Sequence, residues 1–315
     1  MRGPIPAKLD HANSFPIRSA DETPYTNHQV RHLARHIMGI VLGLAAALLY
    51  GGADFGGGLL SRRMAFMPVT VTGSAAATVL VWVVLIVGGG QTPSAHAIAW
   101  GLISGLGGGV GTLALYRGLS RGQMSVVGPI SAVGSAVVPV VVGVAVGERP
   151  SPLAMIGVVM ALPAIALAAA NGISGSVTLK TTGVTDGLVA GAGFGVLFVA
   201  LAQAGGQAGL WPIAAEQTSA LLLVLAVAAR SCKPLHVNVR TAGLPILVGV
   251  GGMSATLLYF YATHSGMMTT VAVLTSLYPG VTVVLARAIL HERFSSTQRL
   301  GLALCAGAVA AIALT

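Results

Sequence analysis

Carboxylates are scarce in this chain, and the place of each restricts the chemistry it can do. Of eight Asp and Glu in 315 residues, only Asp54, Glu148, Asp186, Glu216 and Glu292 lie beyond the first 34 positions. Four of these fall at the expected ends of apolar stretches, near water. Asp54 falls inside one, and an ionisable group in an apolar span is a functional candidate because its burial is expensive. Two chemistries suit it: taking up a proton during a working cycle, or pairing with a substrate amine. The competing reading turns Asp54 to the headgroups, paired with Arg62 or Arg63. Tyr50 lies four residues earlier and so shares its helical face.

Glu216 and Gln217 follow Trp211-Pro212. Pro near a helix start with an acid soon after reads as an N-terminus complementing the helix dipole, with a role in a cavity as the second reading. Glu148-Arg149 and Glu292-Arg293 each precede a short apolar stretch. They read as structural: the acid complements a dipole and the arginine anchors at an interface. Aromatic residues make up 5% of the chain, so their places matter. Trp100 and Trp211 fall near helix ends, as belt residues do. Tyr50, Tyr116, Tyr259, Tyr261 and Tyr278 fall further in, where a hydroxyl needs a partner or a wet cavity.

No enzyme constellation is found. Five of the eight histidines lie in the N-terminal region or a connection, and no span holds the paired spacing a metal needs, so no metal, cofactor or catalytic group is expected. Cys232 and Cys305 make no disulfide framework. The glycine runs at Gly105, Gly107, Gly108, Gly109 and at Gly249, Gly251, Gly252 lack the strand that a phosphate loop requires. Inside apolar helices they permit close backbone packing and sliding.

The elements that must position these groups follow from composition. Charged residues are 8% of the chain and mean hydropathy is +0.85, against about 25% charged in soluble domains. Lipid is therefore the solvent, and spans of about 20 residues are required. Ten apolar stretches satisfy this, at approximately 37–58, 68–88, 97–117, 124–146, 152–171, 186–206, 212–229, 243–263, 268–290 and 298–314. They do not alternate apolar with polar, which excludes a barrel and leaves helices. Residues 1–34 read as a mobile tail without a signal-peptide core. Residues 172–185 form the most polar connection and divide a first unit, 35–171, from a second, 186–315. The net charge of +9 is scattered along the chain, which suits anionic lipid and excludes nucleic acid.

The two units resemble each other. A shift of 144 positions lays residues 103–171 on 247–315 without a gap and matches 17 of 69, where composition alone gives about eight. Gly105 meets Gly249, Glu148 meets Glu292 and Gly157 meets Gly301, while Gly39 and Gly43 resemble Gly187 and Gly191 at a nearby offset. Five spans per unit is odd, so the second copy enters the membrane from the opposite side. The expected fold is an all-α membrane protein of ten spans in two inverted five-helix repeats, an architecture suited to alternating access.

These features together carry a resemblance: the two Glu-Arg motifs, the short stretch after each, Tyr278-Pro279, and LLYGGADFGGGLLSRR in the first span. The chain resembles the drug/metabolite transporter superfamily, in its EamA-type branch with two tandem five-helix domains. The likeness covers about 37–315 and implies transport of small metabolites, often export. It also implies that the third and fourth helices of the second copy, with Tyr259 and Tyr278, help line the pathway. Both termini would then face the cytoplasm. The positive-inside count points the other way, with six Lys and Arg on the side of the N-terminus and eleven on the opposite side, so orientation stays open.

The leading expectation is thus a monomeric secondary transporter of the plasma membrane, exporting amino acids or related polar compounds and coupled to protons. Its partners are a small-molecule substrate, protons and membrane lipids. Efflux of cationic drugs is the alternative, although aromatic cations would call for more Trp and Tyr. A membrane enzyme lacks clustered acid, base or metal ligands, and a non-transporting scaffold would keep the fold without a working cavity.

Overall fold

The computed structural model describes residues 27–88, 92–121, 124–145, 152–169, 181–205, 209–231, 239–265, 275, 278–290 and 295–313. These residues form ten helices and no strand: α1 Asn27–Arg63, α2 Phe66–Gly88, α3 Ala95–Arg121, α4 Met124–Ala145, α5 Pro152–Ala169, α6 Thr181–Ala204, α7 Trp211–Arg230, α8 Val239–Ser265, α9 Tyr278–Leu290 and α10 Ser296–Ala313. Six of them, α1, α2, α3, α6, α7 and α8, contain described segments long and apolar enough to cross a bilayer. Large side chains such as Leu48, Val79, Ile86, Val87, Val159 and Leu247 are exposed on the outside, as a lipid solvent permits.

Two expected boundaries move. Helix α1 starts at Asn27 rather than beyond residue 34, because the run from Gln29 to His36 contains neither Gly nor Pro and is rich in Arg, Leu and Ala, which favour helix. Helix α6 starts at Thr181 rather than 186, so Asp186 lies within a helix and is only 3% exposed, not at a wet end. Both Glu-Arg motifs, Glu148-Arg149 and Glu292-Arg293, lie outside the described residues.

Helix packing between the halves follows a pattern. Helix α3 packs on α6 as α1 packs on α8; α4 packs on α6 as α1 packs on α9; α3 packs on α7 as α2 packs on α8. Exchanging helix n for helix n+5 turns each contact into its mate. Helices α2 and α7, α4 and α9, and α5 and α10 meet across the same exchange.

Lipid tails are as apolar as leucine, so helix association rests on close approach and on polar contacts between helices. Glycine supplies the approach. A Cβ on Gly105 would overlap the Glu216 carbonyl and the Ser219 hydroxyl of α7, and one on Gly249 would overlap the Gly73 backbone of α2. Gly105 and Gly249 are the equivalent positions of the repeat. Gly107 and Gly193 stand in the same relation across α3 and α6, and Gly134 faces Gly191 across α4 and α6. Hydroxyls add bonds to neighbouring backbones: Ser104 donates to the Leu197 carbonyl at 3.0 Å, Ser219 to Leu102 at 2.9 Å and Thr282 to Gly51 at 3.1 Å.

Contacts at the helix ends define two ends of the bundle. At one, Trp82 near the end of α2 packs edge-on against Trp211 at the start of α7, with centroids 5.9 Å apart, and Gly101 near the start of α3 lies against Pro212. Trp211 is partly buried there against the protein. At the other end, Arg62 Nε donates to the Leu119 carbonyl at 3.3 Å. There Arg117 also donates through Nε, at 2.9 Å, and through its terminal nitrogen, at 2.6 Å, to one Asp186 oxygen. This ion pair joins the first half to the second.

Two predictions follow from this packing. Gly105→Val should lower stability by about 1–3 kcal/mol through overpacking, whereas Gly52→Ala, whose Cβ would meet nothing, should leave stability unchanged or raise it by up to about 1 kcal/mol. Thermal melting in detergent separates them, and equal melting of the two variants would refute the role of close contact. The ion pair is unequal: Asp186 is buried and the Arg117 side chain is 42% exposed. Arg117→Ala strands a buried carboxylate, while Asp186→Asn frees a solvated guanidinium, so Arg117→Ala should melt at the lower temperature of the two.

Candidate functional site

A cavity of about 140 Å³ lies where the two halves meet, lined from α1, α2, α3, α6, α7, α8 and α9. Its wall uses matching positions of the repeat: Gly108 with Gly252, Gly109 with Met253 and Thr112 with Thr256. The glycines keep side chains out of this space, and the helices that carry them are the ones held closest.

Helix α1 brings Tyr50, Ala53 and Asp54 to the cavity. Spacing of three and four along a helix puts these on one face. Asp54 lies nine residues before the end of α1 at Arg63, and it faces the cavity rather than the headgroups. Tyr116 from α3 and Tyr278 from α9 stand close enough to feel its charge. Tyr116 reaches this place because Gly57 of α1 leaves room, and a Cβ there would strike its ring. Tyr50 holds its hydroxyl 2.8 Å from Thr256 Oγ1 of α8, and its ring packs tilted against Tyr278 with centroids 5.9 Å apart. Ser135 of α4 stands beside the Tyr278 hydroxyl.

The second carboxylate arrives from α7. This helix begins at Trp211 with Pro212 in its opening turn, and its first turn holds no acid. Glu216 therefore belongs to the second turn, where it is 4% exposed and lines the cavity. The reading of Glu216 as a dipole-complementing residue near water is corrected by this burial. The cause is the contact between Gly105 and α7, which draws the start of α7 into the bundle. The Gln217 side chain hydrogen-bonds the Glu216 carboxyl, while Oε2 is buried without a hydrogen-bond partner among the described residues. Gln217 also lines the cavity, and its backbone carbonyl accepts from Thr78 at 3.1 Å.

Asp54 and Glu216 lie at different depths. Asp54 belongs to the half of α1 near the arginine-bearing end of the bundle, and Glu216 lies five residues from the start of α7 at the tryptophan end. At 1.5 Å per residue this staggers the two carboxylates along the bundle axis.

Six polar residues singled out from the sequence thus share one cavity: Tyr50, Asp54, Tyr116, Glu216, Gln217 and Tyr278. Tyr259 does not join them. It is buried beside Ala46 and Ala262 and packs its ring on Phe198 at 5.7 Å. The sequence reading passed over Thr70, Ser74, Thr112 and Thr256, which also line the cavity. A threonine in an apolar helix gives little signal, because it satisfies its hydroxyl on a carbonyl four residues back, as Thr70 does on Phe66 at 2.9 Å. Phe194, Leu197 and Phe198 complete an apolar wall on the α6 side. Among the cavity-lining residues there is no Lys, Arg or His, and among the described residues no group of His, Cys, Asp and Glu is arranged to hold a metal.

Comparison with known proteins bears on this architecture. No curated protein matches the chain by sequence. Thirteen chains of solved structure match it. One, a crystal structure named only as that of a protein, superposes with a TM-score of 0.58 at 16% identity, over 89% of this chain and 97% of that one. At that identity the likeness speaks for the fold alone. The EamA-like transporter family matches twice, over residues 37–170 and 181–314. With both halves of the helical bundle so covered, the chain belongs to the EamA-like transporter family, as a multi-pass membrane protein with two tandem EamA segments.

Proposed function

We propose that this chain is a secondary transporter of the plasma membrane that exports small polar metabolites, amino acids or related amine-bearing compounds, by alternating access coupled to protons. The observation that carries the reading is the cavity at the junction of the halves, with one carboxylate from each half, Asp54 and Glu216, directed to it. The exchange of helix n with n+5 in the packing, together with five helices per half, supports ten spans in two inverted repeats. Such repeats can swap conformations and expose one central site to either side in turn.

Residues 35–171 and 186–315, joined by the connection 172–185, act in this reading as the two rocking units, and a single chain completes the pathway. Asp54 serves as the proton carrier. The titratable groups around it are Tyr50 on its own helix, Tyr116 from α3, Tyr278 from α9 and, across the cavity, Glu216 from α7. Tyr50, Gln217 and Tyr278 orient the substrate, and Tyr259 supports the wall through Phe198.

The test compares small molecules secreted and retained by cells carrying the intact protein, its Asp54→Asn variant and an empty vector. The intact protein should move one metabolite class outward, and Asp54→Asn should cut that export by about a hundredfold or more, the range that positioned proton-transfer groups supply. Purified protein in vesicles should respond to an imposed pH gradient, with that response lost in Asp54→Asn. No change between intact protein and empty vector, despite confirmed membrane insertion, would overturn transport as the function. Equal export by protein and variant would overturn only the role of Asp54.

A further inference from the structure

The charge balance of the cavity narrows what it can hold. Two carboxylates border about 140 Å³ of space, and among the described residues no cationic side chain lines it. Acidic residues together are commonly a solvated cluster, but Glu216 is not solvated: it is 96% buried, and its Oε2 has no hydrogen-bond partner among the described residues. A buried carboxylate oxygen without a donor is costly, and a positively charged donor reaching it would offset that cost with a charge-assisted hydrogen bond.

We propose that this cavity selects compact organic cations, ammonium compounds of about six non-hydrogen atoms, over anions and zwitterions. The inference rests on the transporter reading in taking the cavity as the station of the substrate, and it narrows the class proposed there to amine-bearing compounds without a carboxylate, leaving out free amino acids. Size follows from volume, since a cavity of roughly 150 Å³ holds benzene. Charge follows from the two carboxylates, which give the ammonium group charge-assisted hydrogen bonds. The ring faces of Tyr50 and Tyr278, 5.9 Å apart, add cation–π attraction. The α6 wall of Phe194, Leu197 and Phe198 receives the hydrocarbon body of the same molecule. A zwitterion would bring a third carboxylate into the field of two others, with neutral donors such as Ser74, Thr112, Tyr116 and Gln217 to receive it and no cationic side chain among the described residues that line the cavity.

The experiment is calorimetric titration of the purified full-length protein in detergent with five probes of similar size: n-pentylamine, putrescine, pentanol, pentanoate and norvaline. The two amines should bind at least about tenfold more tightly than the other three, the factor expected when one hydrogen bond to a charged group is lost. Glu216→Gln, which keeps shape and removes charge, should weaken amine binding by about tenfold or more and narrow the gap to pentanol. Asp54→Asn should act in the same direction. Pentanoate or norvaline binding as tightly as the amines would overturn the proposal. So would unchanged amine affinity in a folded Glu216→Gln protein, or the absence of amine binding at millimolar concentration in the intact protein.

Uptake of labelled pentylamine into vesicles separates this proposal from transport. Amines that bind without crossing support the cation site and defeat the transporter reading. Vesicles that carry an acidic or zwitterionic metabolite, while pentylamine neither binds nor competes, support transport and defeat the cation site.

Discussion

Helices dissolved in lipid gain little by hiding apolar side chains from one another, so close approach of their backbones is the constraint on which this bundle depends. Glycine meets it at several of the main crossings of the halves. Gly105 admits the backbone of Glu216, Gly249 admits that of Gly73, and Gly107 and Gly193 admit one another. The same approach sets the site. It draws the second turn of α7 inward and so places Glu216 where α1 already presents Asp54. With larger residues at these crossings, the helices would stand apart and the carboxylate of α7 would meet water or headgroups.

Polar groups inside such a bundle divide into those that bind helix to helix and those left facing space. Ser104, Ser219 and Thr282 spend their hydroxyls on the carbonyls of neighbouring helices. Asp186 is buried but held by Arg117, and it ties the halves at the end of the bundle. Tyr50 belongs to both groups, since it bonds Thr256 across the halves and shows its ring to the cavity. Each of Asp186 and Glu216 keeps one buried oxygen without a hydrogen-bond partner among the described residues; what distinguishes them is that Asp186 takes Arg117 through its other oxygen while Glu216 lines the cavity.

Much of this could be read from the sequence, and the failures share a cause. Helices were legible from runs of apolar residues too long and too uniform for strands. The repeat was legible because glycines recurred at one offset, and the structure places two of those equivalent glycines, Gly105 and Gly249, in equivalent crossings. Asp54 stood out as the one acid within an apolar stretch. Glu216 did not, because Trp-Pro followed by an acid looks the same whether the helix start is wet or packed; the partner across Gly105 decides, and it lies more than a hundred residues away in sequence. Asp186 was misplaced for the same reason, its burial set by Arg117 and by the neighbouring Gly118. Tyr259 and Tyr278 could not be told apart, since both are interior tyrosines and only the rotation of each helix turns one to Phe198 and the other to the cavity.

The lack of any cationic side chain among the residues lining the cavity has an electrical consequence. Under the proposed alternating access, ionised carboxylates there would be charges fixed to the protein that cross part of the membrane field whenever the empty cavity changes sides. A bound cation would cancel part of that charge, so the loaded protein would change sides with less work against the field. One elementary charge moved through 100 mV corresponds to about 2.3 kcal/mol, so voltage would act mainly on the return of the empty carrier. Return of the empty carrier, rather than substrate carriage, would then be the step at which membrane voltage governs turnover.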